Sequence, residues 1–291
     1  MSADQEGGGA PPSSLAELGV AEPGSEAVFE LAALSDVGTD RPDNEDSCGH
    51  WIEHQSSAVF AVADGVGGYE GGEIASKMAI ETTLEAYRES PVEWGPAKRL
   101  HRAVQRANIE IHNRALTVPE LRRMATTLTA GVVVDGTLYA AHVGDSRLYL
   151  VRYERIQQMT KDHTMIAERV RMGVMSAARA RNHPERSALS RSLGHDLIVS
   201  VDRITMPLMQ GDRLIVCSDG LYNVLEEHDL VRLTHAVDAA DACRRLIDSA
   251  NQRGTADNLT VVVFKMIGRT PGGPVRRSWR ERIVGLFGRG Q

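Results

Sequence analysis

With 291 residues, an ordinary apolar share and a formal net charge of −6, the chain is long enough for one large domain with a sizeable core. No apolar run reaches the length of a membrane span. An acidic chain is also a poor partner for nucleic acid, whose phosphates need basic neutralisation.

Met1 to Ser25 is rich in Gly, Pro, Ser and Glu and lacks the basic start and apolar stretch of a secretion signal, so residues 1–25 read as a disordered leader. Residues 26–267 run without a linker, repeat or break in composition and read as one domain. Residues 268–291 carry Arg269, Arg276, Arg277, Arg280, Arg282 and Arg289 against Glu281 alone. Trp279, Ile283, Leu286 and Phe287 recur there at helical spacing, which predicts a basic amphipathic tail that contacts a membrane surface or a partner protein. Cys48, Cys217 and Cys243 cannot all pair and read as buried free thiols of a reducing, cytoplasmic compartment.

Taken in order, Val28–Leu34 and Ser47–Ile52 are strand-like. Ala58–Ala63 is an apolar run that stops at Asp64-Gly65, as a buried strand would. Two helices follow, over Glu73–Glu89 and Pro96–Ala115; the second places Leu100, Val104, Ala107 and Ile111 on one face. Thr127–Val134 and Thr137–Val143 read as strands joined by Asp135-Gly136, a hairpin signal, and Leu148–Arg152 as a strand continuing that sheet. His163–Arg191 reads as an irregular flap with a short helix. Two further strands, Arg213–Cys217 and Leu259–Met266, bracket helical stretches over Glu226–Thr234 and Asp238–Asn251. Hairpin links and helix pairs, without βαβ alternation, imply an α+β fold of antiparallel sheets covered by helices.

The acids sit at strand ends. Asp64 and Asp219 each follow an apolar strand; Glu45 and Asp46 precede one, and Asp257 precedes another. In an antiparallel pair the end of one strand lies beside the start of its neighbour. If Ser47–Ile52 pairs with Ala58–Ala63 through the loop around Gln55, Asp46 faces Asp64. If the strands ending at Cys217 and starting at Leu259 are neighbours, Asp219 approaches Asp257. Carboxylates so gathered must protonate or bind cations. All-oxygen ligation suits Mg²⁺ or Mn²⁺, and no Cys or His pair stands at zinc-site spacing.

In chain order, Ser35-Asp36-Val37-Gly38, Arg41 with Asn44-Glu45-Asp46-Ser47, Ala63-Asp64-Gly65-Val66-Gly67-Gly68, Ala125-Thr126-Thr127-Leu128, and Val143-Gly144-Asp145-Ser146-Arg147 form an ordered set. Thr160-Lys161-Asp162-His163, Leu189-Ser190-Arg191-Ser192-Leu193-Gly194, Ser218-Asp219-Gly220-Leu221 and Asp257-Asn258-Leu259-Thr260 complete it. Each motif alone is weak; the ordered set resembles the metal-dependent protein serine/threonine phosphatase family, type 2C, in its bacterial form, over about Phe29–Met266.

The resemblance implies a four-layer α-β-β-α sandwich, two antiparallel sheets flanked by helix pairs, with two Mn²⁺ or Mg²⁺ ions at one end and a weaker third. It implies that Asp64 bridges two ions and the Gly65 carbonyl also ligates. Asp219 and Asp257 complete the first ion, Glu45 and Asp46 hold the second directly or through water, and Asp145 belongs to the third. It implies that Arg41 grips the substrate phosphate and that a metal-activated hydroxide attacks phosphoserine or phosphothreonine directly, making Arg41, Asp64 and Asp219 the catalytic set. Phosphorylated proteins and a cognate serine/threonine kinase pathway are the implied partners. Eukaryotic members often carry His after the Asp-Gly; Val66 stands there here, which excludes protonation of the leaving group by that residue.

Ser146 and Ser218 have no paired His pattern that would make them nucleophiles, and His142, His163 and Cys217 read as structural. The flap carries Arg169, Arg171, Arg179, Arg181 and Arg186 against Glu168 and Glu185, which predicts either a solvated basic loop or a docking surface for acidic or phosphorylated segments. A catalytically silent binding module and a hydrolase of small phosphoesters are the rival readings.

Overall fold

The computed structural model describes residues 29–54, 57–66, 71–181 and 183–268. The predicted leader, the tail beyond Gly268, and the loop residues Gln55, Gly67 and Gly68 lie outside the described residues.

One sheet holds five strands in the order β1-β11-β10-β7-β8: β1 Phe29–Asp36, β7 Arg147–Arg152, β8 Arg155–Gln158, β10 Arg213–Cys217 and β11 Leu259–Met266. The other runs β2-β3-β5-β6-β9: β2 Asp46–His54, β3 Ser57–Val66, β5 Leu128–Val134, β6 Thr137–Val143 and β9 Asp202–Pro207. A two-residue strand, β4 Ala125–Thr126, pairs with the end of β3. Every pairing is antiparallel.

The apolar runs are continuous because the strands are buried on both faces. In β3, Val59, Ala61 and Ala63 pack towards α1 Gly71–Glu89 and α2 Gly95–Thr117, while Ala58, Phe60 and Val62 point between the sheets. In β11, Val261 and Val263 pack towards α6 Glu227–Leu233 and α7 Ala239–Gln252, while Val262 and Phe264 meet the facing sheet. Three apolar layers therefore separate four structural layers. Phe264 stacks on Phe29 and Phe60 at ring-centroid distances of 5.1 and 5.9 Å in the middle layer. The fold is the α+β sandwich that the resemblance implies.

The Asp135-Gly136 hairpin forms with both residues in the left-handed region, φ 49° and 73°, the backbone that a two-residue turn between twisted strands requires. One expectation is corrected. Leu148–Arg152 does not continue the sheet of the preceding hairpin: β7 pairs with β10 in the other sheet, and Gly144-Asp145-Ser146 crosses between the two. A strand buried on both faces reads the same in either sheet, so the crossing left no mark in the pattern.

The flap contains two short helices, α3 Met165–Arg171 and α4 Ala177–Arg181. Its root is pinned by the Thr164–Leu189 bridge, with Met165 N donating to Ala188 O at 2.8 Å and Ser190 N to His163 O at 2.8 Å. The edge strands β8 and β9 and the single turn α5 Asp219–Tyr222 escape the sequence reading. The exposed alternate positions of β9 give it no apolar run.

Candidate active site

Strand parity builds the site. Asp64 follows Phe60 and Val62 on the inter-sheet face of β3, and Asp46 is its register partner on β2, so the two acids share a face at one end of that sheet. On the facing sheet, Ser218 and Thr260 follow the same parity as Val216 and Val262, and Asp219 and Asp257 flank the adjacent ends of β10 and β11.

The two sheets are joined at this rim by hydrogen bonds. Ser218 Oγ donates to Asp46 Oδ2 at 2.6 Å and accepts from Thr260 N at 3.0 Å. The Asp64 main chain is held by the β4–β5 segment: its N–H donates to Thr127 Oγ1 at 2.9 Å, and its carbonyl accepts from Thr127 N and Thr126 Oγ1, both at 2.8 Å. Thr127 Oγ1 in turn lies 2.6 Å from Ser146 Oγ, which ties the Asp64 strand to the crossing that carries Asp145. Asn258 fastens the first loop, its Oδ1 accepting from Glu45 N and its Nδ2 donating to Val37 O and Asp43 O, each at 2.9 Å. At Gly65 the backbone passes so close to α1 that a Cβ would collide with the Gly72 carbonyl and come within 2.6 Å of Glu45 O. Only glycine fits there.

Arg41, Glu45, Asp64, Gly65, Asp219 and Asp257 line one cavity of about 310 Å³, and Asp145 lines it as well. Arg41 Nη2 lies 3.0 and 3.1 Å from the two carboxylate oxygens of Asp257, with its side chain 48% exposed at the cavity mouth. Asp46 is the one predicted acid that does not reach the cavity; it is buried behind the wall on Ser218.

Burial raises the pKa of the Asp46 carboxyl to about 7, against the opposing hydrogen bonds from Ser218 and Thr260; the nearby Asp219 and Asp257 add to the rise. Burial, then Asp46 and Asp219, pushes Asp64 well above the usual carboxylate range, and burial with Asp219 does the same to Asp145. Asp219 rises to about 6 through burial and Asp257, with Asn223, Arg41 and Arg186 acting against it. Glu45 is raised by burial, with Arg41 opposing. Among the residues lining the cavity only Arg41 is basic, so this is a concentration of negative charge that asks for cations.

The sequence-level reading missed how the rim is held. Ser218, Thr127 and Asn258 were visible as motif members, but their partners stand 172, 63 and 213 positions away along the chain. His142 and His163 are buried with their rings 4.7 Å apart; His142 Nε2 meets Lys161 O at 3.1 Å and Gly144 N donates to His163 Nδ1 at 3.2 Å. They brace the root of the flap against the Asp145 crossing.

The family model described as protein phosphatase 2C matches residues 40–262, which span this rim from the Arg41 loop to β11. The chain belongs to the protein phosphatase 2C family. Among relatives in this family, the serine/threonine phosphatase stp of Listeria monocytogenes is 33% identical over 240 residues, covering 79% of this chain and 93% of that protein. The crystal structure of the Mycobacterium tuberculosis serine/threonine phosphatase PstP/Ppp superposes with a TM-score of 0.75 at 33% identity, covering 82% of this chain and 99% of that one. A crystal structure of the PstP catalytic domain in complex with two manganese ions gives a TM-score of 0.72 at 32% identity, with the same coverage of 82% and 99%. As a protein phosphatase 2C, the chain is a hydrolase of phosphoproteins, and the silent-module and small-phosphoester readings find no support in these likenesses. Among the described residues no helix is long and apolar enough to cross a membrane.

Proposed function

We propose that the rim is a divalent-metal site at which phosphoserine and phosphothreonine in proteins are hydrolysed by water. The observation that carries this reading is the set of five carboxylates, Glu45, Asp64, Asp145, Asp219 and Asp257, around a cavity whose only basic lining residue is Arg41. The donors are all oxygen, which suits Mg²⁺ or Mn²⁺, and the related PstP catalytic domain holds two manganese ions. As placed, no three Asp, Glu, His or Cys side chains among the described residues gather about a single point, so the fit is one of donor chemistry and not of a preformed cage.

In this reading Asp64, the Gly65 carbonyl, Asp219 and Asp257 would hold one ion, Asp64 with Glu45 and Asp46, directly or through water, would hold a second, and Asp145 would serve a weaker third. When bound, such ions neutralise phosphoryl oxygens and bring the pKa of a water towards neutrality. The chain's own residues do the rest. Arg41, at the mouth, offers a planar two-pronged donor to the phosphoryl oxygens. Ser146 and Ser218 are fully buried and hydrogen-bonded, and burial pushes the Cys217 thiol up to about 12. None of the three is placed to serve as nucleophile, and in this reading water is the attacking group. Val66 offers no proton, so the leaving oxygen takes its proton from water.

The catalytic unit is assigned to residues 26–267, acting in the cytoplasm against a serine/threonine kinase pathway, with the Arg-rich residues 268–291 as a contact for membrane or protein. The test is turnover of a phosphothreonine peptide with Mn²⁺, with chelator, and in Asp219→Asn. Chelation and substitution should each abolish it; turnover surviving both refutes the reading.

A further inference from the structure

The flap and the segment from α5 to the start of α6 enclose a second cavity of about 810 Å³, which shares Asp145, Ser187 and Asp219 with the first. Two of the four arginines that line it are already paired. Arg147 grips Asp162, Nη2 to Oδ2 at 2.6 Å and Nε to Oδ1 at 3.0 Å, and lies 3.6 Å over the Tyr222 ring. Arg253 meets Asp229 at 2.7 Å, and Glu226 caps α6 and contacts His228 at 3.2 Å. Arg181 and Arg186, on the flap side, differ. Both are exposed and line the cavity, yet neither guanidinium forms a hydrogen bond or ion pair with any described residue. Arg186 is near enough to Asp219 to act on its ionisation. Arg179 lies on the same short helix but does not line the cavity.

Two guanidinium groups that make no hydrogen bond or ion pair with a described residue, at a cavity that shares Asp145, Ser187 and Asp219 with the proposed phosphate-hydrolysing site, are suited to a second anion carried by the same substrate. We propose that Arg181 and Arg186 form a subsite for an anionic group, phosphate or carboxylate, on a residue flanking the phosphoresidue being hydrolysed. The subsite selects phosphopeptides with an acidic or doubly phosphorylated flank. It rests on the phosphatase reading of the adjoining site.

The test compares kcat/KM with Mn²⁺ for three phosphothreonine peptides of one sequence, whose flanking position is neutral, Glu or a second phosphothreonine. The expected result is about a tenfold preference for the anionic flanks, shrinking in about 0.5 M NaCl. That preference is lost in Arg181→Ser/Arg186→Ser and kept in Arg179→Ser. A preference confined to the doubly phosphorylated peptide assigns the subsite to phosphate, and a preference for both assigns it to negative charge. Equal kcat/KM across the three peptides in the parent enzyme overturns the subsite alone, as does loss of the preference in Arg179→Ser. No hydrolysis of any peptide overturns the phosphatase reading with it.

Discussion

Asp46 and Asp64 are register partners across the β2–β3 ladder, two carboxylates on one face of a sheet, and Ser218 of the facing sheet reaches over to bond the first at 2.6 Å. Like charges so placed disfavour the folded state unless they are protonated or bind a cation.

The first consequence is a stability difference in chelator. The folded Asp46 pKa, about 7, lies above the ordinary value of 3.8. Between those limits the folded chain holds more protons than the unfolded one, so this residue's contribution to stability falls as pH rises. Asp46→Asn removes the ionisation and keeps an oxygen for Ser218. In chelator it should unfold later than the parent at pH 8, by on the order of 1–4 kcal/mol, with the gap closing towards pH 4. Chemical denaturation across that range checks it. A gap that widens on acidification has the wrong sign.

The same carboxylates should couple metal to protons. Burial and neighbouring carboxylates raise Asp219 to about 6, Asp46 to about 7, and Asp64 well above the usual carboxylate range. Binding Mn²⁺ at pH 6 must then release protons, and the apparent affinity should rise from pH 6 to pH 8. Calorimetry at pH 6 in two buffers of different ionisation enthalpy reads the release directly; identical heats in the two buffers would contradict it.

Much of the site was legible in the sequence because its parts are local. Each acid lies beside an apolar strand, and the Asp46–Asp64 register follows from one hairpin. The approach of Asp219 to Asp257 needed only that β10 and β11 be neighbours, as they are. What was not legible is long-range. Nothing within ten residues of Ser218 says that it bridges to Asp46, and nothing in Leu148–Arg152 says which sheet it joins. Asp46, expected at the rim with Glu45, lies behind the cavity wall, where Ser218 of the facing sheet bonds it. The second cavity brings the flap against residues 219–227, a contact that no periodicity encodes.

Ser218→Ala tests the bridge between the sheets. It removes one of the two hydroxyl donors to the buried Asp46, leaving Thr260, and leaves Thr260 N without its acceptor, which should destabilise the chelated protein by about 1–3 kcal/mol at pH 8. The loss should shrink as acidification protonates Asp46. Unfolding midpoints of variant and parent at pH 5 and pH 8 decide the matter; a loss independent of pH would point to simple packing.

Arg41→Lys tests phosphate orientation. Lysine keeps the charge but not the planar fork, so kcat/KM should fall about 10- to 100-fold, with inhibition by inorganic phosphate weakened in parallel. Unchanged phosphate inhibition beside a large rate loss would move Arg41 from phosphate binding to holding Asp257, its partner at 3.0 Å.

The most direct measurement is anomalous diffraction from crystals grown with Mn²⁺. Two strong peaks should fall in the cavity lined by Asp64, Asp219 and Asp257, one of them beside the Gly65 carbonyl. Asp64→Asn should lose both. Manganese bound elsewhere on the chain, with this cavity empty in an enzyme that still turns over phosphopeptide, would contradict the account.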